Sequence, residues 1–407
     1  MNTKVIFVVA GLAFSAALLA AQAQRNPTKV VFWHSMAGAQ KTVDAFASEF
    51  NASQNLYTVD AQEVGAYPQS ASKLVAALRA NTAPVLYQAE IGFFPKLAED
   101  DVLADLAPFE KTLEPAVQKD FFPALWEYGI YEGKRYGLPW NSSTPVLYYN
   151  ASLLRSKGLR PPNTWAEFAT LAKTLTNRAG KGFIAVADSW QFEQMVLTRG
   201  GATVLPNGQA NFSSKEVLES AQFLQDMVKQ GTAIPRSLGE AQFAILDFVR
   251  TKAQMAIASI ANWPDILPYS VAFELGAAPM PIVSKRVVPF GGAQLVVLKD
   301  TTPEERAGAW AFWQFLMNPQ NIVKWTKASY YVPLRRSVLP LLADWYKENP
   351  YRKVAFDQFD EAVPRPRTPQ YAAQKIILEE ALERILKGNA DVKSTLEEAQ
   401  KRALAVR

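Results

Sequence analysis

Apolar residues return along this chain in two alternating periods. Lys29 to Trp33 is short and mostly apolar, predicting a strand. A loop, His34 to Gly38, follows it. Val43, Phe46, Ala47 and Phe50 then recur at helical spacing. A second strand is expected over Leu56 to Gln62, then a helix bearing Leu74, Val75 and Leu78, then a third strand over Pro84 to Tyr87. Further on, Thr164 and Glu167 form a capping box before Phe168, Leu171 and Leu175, and Ser213 and Glu216 form another before Val217, Ala221, Leu224 and Val228. Phe183 to Val186, Gln254 to Ala258 and Gln294 to Leu298 read as strands. Thr302-Pro303-Glu304-Glu305 is a helix start with cap, early Pro and first-turn acids. Its helix carries Trp310, Phe312, Trp313 and Leu316 and stops at Asn318-Pro319. Two amphipathic helices close the chain: one bears Ile377, Ala381 and Ile385 and ends at Gly388, the other runs from about Asp391 to Leu404.

Strands alternating with helices predict α/β architecture with largely parallel sheets and right-handed crossovers. The length, 407 residues, suggests two domains. No Pro/Gly-rich linker divides the sequence, so two lobes joined by several crossings of the chain are expected, with a hinge between them.

The start of the chain is different in kind. Lys4 precedes the apolar run Val5 to Ala21, and Ala21-Gln22-Ala23 is an A-x-A cleavage site. Residues 1–23 therefore read as a signal peptide, and the mature chain as an exported, periplasmic protein. No later stretch is long and apolar enough to span a bilayer.

Composition narrows the chemistry. Apolar residues make up 49% and charged residues 20%, as in an ordinary globular protein. Cys is absent, which excludes disulfides, thiol catalysis and thiolate metal sites. His34 is the one histidine, which excludes a multi-His metal centre. The net charge of +5 is spread among acids at helical spacing without a dense Lys/Arg run, so nucleic acid is not the expected partner. Catalytic, phosphate-loop, dinucleotide and calcium-loop motifs are missing. Asp100-Asp101 and Glu379-Glu380 are adjacent carboxylates in polar contexts and read as solvated surface. No metal, cofactor or catalytic residue is expected.

Aromatic residues form 12% of the chain, including 10 Trp and 14 Tyr. Trp33, Tyr67, Trp140, Trp190, Trp263, Tyr330 and Tyr331 fall in expected loops, where rings can stack on a ligand or pack in a core.

Three segments carry a resemblance: Phe32-Trp33-His34-Ser35-Met36, the ten residues Asn141 to Asn150, and Tyr331-Val332-Pro333. Over nearly all of its mature length the chain resembles the periplasmic glycerol-3-phosphate and glycerophosphodiester binding proteins of ABC importers, within the extracellular solute-binding proteins that include maltose binders. The resemblance implies two α/β lobes, three hinge crossings and an interlobe cleft. The expected lobes are residues 24–137 with 281–331, and 138–280 with 332–407. It implies a monomer that captures a small polar ligand and delivers it to the permease. It also implies ligand contacts from Tyr67, Glu90, Ser143, Trp190, Ser259, the backbone of Gly292, and Tyr331. The family's second Trp is replaced; Phe192 or Glu193 stands nearby. The family's Arg after its Pro-Gln pair is absent from Tyr371-Ala372-Ala373-Gln374, leaving Arg365 or Arg367 as substitutes for clamping a phosphate. His34 is placed at the lobe edge as a further lining candidate. A sugar binder using Trp140, Trp190 and Tyr331 as stacking platforms is the alternative ligand reading. A secreted hydrolase with two carboxylates is the alternative from another class.

Overall fold

The computed structural model describes residues 26–406. The expected signal peptide lies outside the described residues. Two five-stranded sheets organise the chain. The first contains β1 (Thr28–His34), β2 (Tyr57–Glu63), β3 (Leu86–Glu90), β4 (Gly137–Ser143) and β10 (Gly291–Val297), in the order β2-β1-β3-β10-β4. The second contains β5 (Pro145–Asn150), β6 (Lys181–Ala187), β7 (Ala233–Ser237), β8 (Ala253–Ser259) and β9 (Leu275–Ala278), in the order β9-β5-β8-β6-β7.

Neither sheet is largely parallel, contrary to expectation. In the first, β1 pairs parallel with β2 and β3, while β10 runs antiparallel to both β3 and β4. In the second, β6 pairs parallel with β7 and β8, while β5 runs antiparallel to β8 and β9. In the first sheet the antiparallel strand is the returning chain: β10 re-enters after the whole of the second sheet has been built.

The first change of sheet falls at Thr144, between β4 and β5, and not after Gly137. Gly137–Ser143 is fully buried strand in the first sheet. The second change lies between Ala278 and Gly291. Residues beyond Val332 still pack on the first lobe: Val332 N–H donates to the Ser142 carbonyl at 2.8 Å, and Phe121 bridges Arg335. The third crossing therefore follows Val332 instead of preceding it.

Helices cover both sheets. On the first lobe lie α1 (Gln40–Ser53), α2 (Tyr67–Ala80), α7 (Pro303–Leu316) and α8 (Pro319–Ser329). On the second lie α3 (Trp165–Leu175), α4 (Ser189–Thr198), α5 (Lys215–Lys229), α6 (Ala241–Val249), α9 (Tyr371–Leu386) and α10 (Val392–Leu404). The capping boxes Thr164/Glu167 and Thr302/Glu305 form reciprocally at α3 and α7. Ser213/Glu216 does not: α5 begins one residue later, at Lys215, and the Ser213 N–H donates to Gln400 Oε1 on α10. Val43, Phe46, Ala47 and Phe50 are all buried on α1, and Trp310, Phe312, Trp313 and Leu316 on α7. One apolar cluster spans the first sheet and the facing side of the second, and another fills the far side of the second. Among the described residues no helix is long and apolar enough to cross a membrane.

Candidate functional site

The ends of β3, β4 and β8 and the starts of β10, α2 and α4 converge between the sheets. They enclose a cavity of about 640 Å³. Tyr67, Glu90, Ser143, Trp190, Ser259, Gly292, Tyr331 and Arg365 all line it. Residues expected from widely separated stretches of the chain thus meet in one crevice, although none of Phe32 to Met36 lines it.

Each is placed by its element. Tyr67 is the first residue of α2, and its hydroxyl accepts hydrogen bonds from Asn141 Nδ2 (3.2 Å) and Gln88 Nε2 (3.3 Å). Burial pushes that phenol well above its usual pKa, so it stays neutral. Tyr331 follows α8, whose C-cap Tyr330 adopts φ +61°, turning the chain back toward the cleft. Ser259 ends β8; its oxygen accepts from the Ala261 N–H at 3.1 Å, which leaves the hydroxyl proton to donate into the cavity. Gly292 sits at φ +123°, and a Cβ there would lie 2.0 Å from the Asn141 carbonyl oxygen, so only glycine fits. The Trp190 ring is pinned by an indole N–H donated to the Pro289 carbonyl at 2.8 Å and lies over Gly291, where a Cβ would meet it at 2.8 Å.

The cleft is electrostatically dense. Arg365 Nε donates to Glu193 at 3.1 Å and Nη1 donates to Glu90 at 3.3 Å; Nη2 reaches Ser189 Oγ at 3.4 Å. Lys375 Nζ donates to the other Glu90 oxygen at 2.7 Å. Tyr371 donates its hydroxyl to Glu193. Burial works to raise the Glu90 pKa, but Lys375 and Arg365 outweigh it and hold the carboxylate below its ordinary range. Burial likewise works against the Arg365 charge, and Glu193 and Glu90 keep the guanidinium firmly protonated. Glu379 is the exception. Burial and the neighbouring Asp188 push its carboxyl up to about 7, against a 2.6 Å hydrogen bond from Ser189 Oγ.

Three expected residues lie elsewhere. His34 is fully buried at the end of β1, its Nδ1 accepting from Met36 N–H at 3.3 Å, so it packs in the lobe instead of lining the cleft. Trp140 is inside β4 and stacks on Trp325 at 5.1 Å, so it offers no face to a ligand. Arg367 points away from the cleft, donating to the Ile130 carbonyl over the Tyr128 ring, and lines a different cavity.

Sequence reasoning missed Lys375, Glu379, Ser189 and Asp188. Lys375 stands one residue beyond the segment from which the family's Arg is absent. Glu379 was expected on the surface beside Glu380, yet it lines the cavity; Glu380 does pair with Arg402 outside. The available signal was spacing: Tyr371, Lys375 and Glu379 follow one another four residues apart, on one helix face. Asp100 and Asp101 are surface residues paired with Lys96 and Lys299, as expected. Among the described residues no cluster of ligating side chains is suited to a metal ion.

Two sheets, repeated crossings between them and a polar cleft at the crossings define a two-lobe binding protein. The chain belongs to the bacterial extracellular solute-binding proteins, whose family profile matches residues 41–354. It is similar to the sn-glycerol-3-phosphate-binding periplasmic protein UgpB of Escherichia coli strain K12, at 28% identity covering 92% of this chain and 91% of the relative. The UgpB of Yersinia pseudotuberculosis is also 28% identical, over 98% and 95% of the two chains. Among solved structures, UgpB from Mycobacterium tuberculosis in complex with glycerophosphocholine superposes with a TM-score of 0.82 at 24% identity, covering 94% and 98%. A cyclic α-maltosyl-1,6-maltose binding protein from Arthrobacter globiformis gives 0.79 at 24%, covering 93% and 99%.

Proposed function

We propose that this chain is the solute-binding component of an ABC importer and that its ligand is a glycerophosphate, either glycerol-3-phosphate or a glycerophosphodiester. The observation that carries the ligand class is the meeting of Arg365 and Lys375 with Glu90 in a cleft also lined by Tyr67, Ser143 and Ser259. Two cations supply charge-assisted hydrogen bonds to a phosphate, and Arg365 offers the planar fork that suits it. Glu90 accepts from glycerol hydroxyls, and the serine hydroxyls donate. The full-length relatives that bind sn-glycerol-3-phosphate support the same class.

The protein works as an exported periplasmic monomer, closing its lobes on the ligand and presenting the closed form to the permease. It releases no product, since no residue in the cleft needs to act as nucleophile for that role. The sugar reading loses one of its three stacking platforms with Trp140 in the core. Calorimetry against glycerol-3-phosphate, glycerophosphocholine, glycerophosphoethanolamine and maltose tests the proposal. Saturable one-to-one binding of a glycerophosphate, with no product on prolonged incubation, is expected; binding of maltose alone, or turnover of any diester, overturns it.

A further inference from the structure

A second cavity, of about 540 Å³, lies beside the interlobe cleft. Arg365 is the one residue that lines both spaces. The walls are the end of α4 with the loop after it, the segment Lys285 to Pro289, and the segment Val363 to Thr368. The last two segments belong to the chain's returns between the lobes, and Val288-Pro289 pairs in parallel with Ala362-Val363. Leu197, Val204, Leu205, Val287 and Val363 make the lining mostly apolar. Its size and character fall in the range of cavities that hold small molecules.

The charges of this cavity are unbalanced. Its single carboxylate, Glu193, is already taken: Oε2 accepts from Arg365 at 3.1 Å, and Oε1 accepts from the Tyr371 and Thr203 hydroxyls. Lys285 and Arg367 also line the space, both exposed, and among the described residues neither pairs with a carboxylate. Arg367 has neutral partners only, the Ile130 carbonyl and the Tyr128 ring, and both stand on the first lobe. The Thr368 hydroxyl, in the same lining, is buried with no hydrogen-bond partner. An apolar hollow with two uncompensated cations and an unused hydroxyl is complementary to an aliphatic chain that ends in a carboxylate.

We propose that this cavity is a second binding site, for a fatty carboxylate, and that its occupation opposes closure of the lobes. The chain lies against Leu197, Val204 and Val287, and the carboxylate takes hydrogen bonds from Lys285 and Arg367. Arg367 then gives up the Ile130 carbonyl, which is a link from the second lobe to the first. A solute in the interlobe cleft favours the closed form and the fatty carboxylate disfavours it, so each weakens the other by the same factor. The cavity and its charges stand whether or not the solute is a glycerophosphate; the coupling rests on that proposed function. The two ligands also arise together. Hydrolysis of both acyl esters of a glycerophospholipid consumes two waters and yields one glycerophosphodiester and two fatty carboxylates.

Calorimetry on the purified protein with decanoate, hexanoate and decyltrimethylammonium is the test. Decanoate is expected to bind one-to-one, hexanoate at least tenfold more weakly because it buries fewer methylenes, and the cation of equal chain length not measurably. Lys285→Glu, at an exposed position outside the interlobe cleft, is expected to weaken decanoate at least tenfold and to leave glycerophosphocholine within about twofold. Saturating decanoate is expected to weaken glycerophosphocholine at least threefold in the unmodified protein and not in Lys285→Glu. Absence of saturable decanoate binding overturns the proposal, and so does equal binding of the cation, which marks the hollow as an apolar surface without charge selection. Decanoate that binds without changing glycerophosphocholine affinity overturns the link to closure. An effect that survives in Lys285→Glu overturns it too, because decanoate then competes inside the interlobe cleft. Failure of glycerophosphocholine to bind at all sinks the proposed function, and the three chain probes still read the second site.

Discussion

Arg365 and Glu90 are hydrogen-bonded across the cleft at 3.3 Å, one on the segment leading into α9 and the other at the end of β3. The ion pair is nearly solvent-free, with the two side chains 6% and 11% exposed. It joins the lobes at the point where a ligand has to enter. A ligand phosphate therefore competes with Glu90 for the same guanidinium, and the affinity measured is the difference between two good contacts.

Removing Arg365 leaves Glu193 without its cation and Glu90 with Lys375 alone. Breaking one side of a buried ion pair costs about 3–5 kcal/mol. Arg365→Met is expected to lower the stability of the ligand-free protein by about that much in urea unfolding, and to abolish measurable glycerophosphate binding. Adding Glu193→Gln is expected to recover part of the stability and none of the binding. Full stability in the single variant shows that the pair is solvent-screened and not a clasp.

Glu379 makes stability fall as pH rises. Its carboxyl is raised to about 7 by burial and Asp188, against an ordinary value near 4.5. The folded protein therefore binds a proton that the unfolded chain has released between those two values, and stability drains away as pH climbs through them. The difference amounts to about 3 kcal/mol at full effect. Glu379→Gln removes this dependence, so the variant's melting temperature relative to the unmodified protein is expected to rise steadily from pH 5 to pH 8. A constant offset over that range shows that Glu379 is ionised throughout.

His34 acts with the opposite sign. Burial lowers its pKa from 6.5 to about 4, against the weaker pull of Asp44 and Glu63. The folded state holds the imidazole neutral while the unfolded chain takes up a proton, so stability is lost as pH falls from about 6.5 toward 4. His34→Gln is expected to flatten this acid limb in thermal unfolding while leaving affinity at pH 7 within about twofold. A tenfold loss of affinity instead places His34 back in contact with the ligand.

Much of the fold was legible in the chain because its signals are local. The strand expected over Lys29 to Trp33 is β1 with one residue more at each end, and the Thr302 capping box starts α7 where expected. Asn141 to Asn150 was legible as a motif and illegible as structure. It holds the end of β4 and the whole of β5, yet the buried stretch Asn141-Ser142-Ser143 is polar and shows no alternation. Part of that polarity is met from far along the chain: Gln88 donates to Asn141, and Val332 to the Ser142 carbonyl. The site shows the same divide. Tyr67, Glu90 and Ser259 were reached through family resemblance, since none stands out by spacing. Lys375 and Glu379 carry a spacing signal, but the face they share reads as solvated until the other lobe is set against it.

Gly292 is irreplaceable for backbone reasons before any ligand arrives. Both its φ of +123° and the Asn141 carbonyl 2.0 Å from a would-be Cβ forbid a side chain. Gly292→Ala is expected to cost about 3 kcal/mol or more, through strain and displacement of β4 from β10. The loss appears as a lower melting temperature in the absence of ligand. An unchanged melting temperature, with only affinity reduced, means that the strand pair relaxes freely.

Trp140 and Tyr331 separate what holds the site from what touches the ligand. Tyr331 stacks on Trp325 at 5.8 Å and 11°, and Trp325 stacks on Trp140 at 5.1 Å and 18°. The three rings form one column, with Tyr331 at the cleft and Trp140 in the core beside Phe32. Truncating the buried end leaves a cavity; truncating the exposed end removes a contact. Trp140→Leu is expected to cost about 2–4 kcal/mol of stability, in the range of large-to-small core changes, while shifting Kd less than about threefold. Tyr331→Ala is expected to do the reverse, weakening glycerophosphate binding at least tenfold, about 1.4 kcal/mol, with a smaller stability loss. If Trp140→Leu weakens binding as much as Tyr331→Ala does, the column transmits its packing to the ligand and the two ends are not separable.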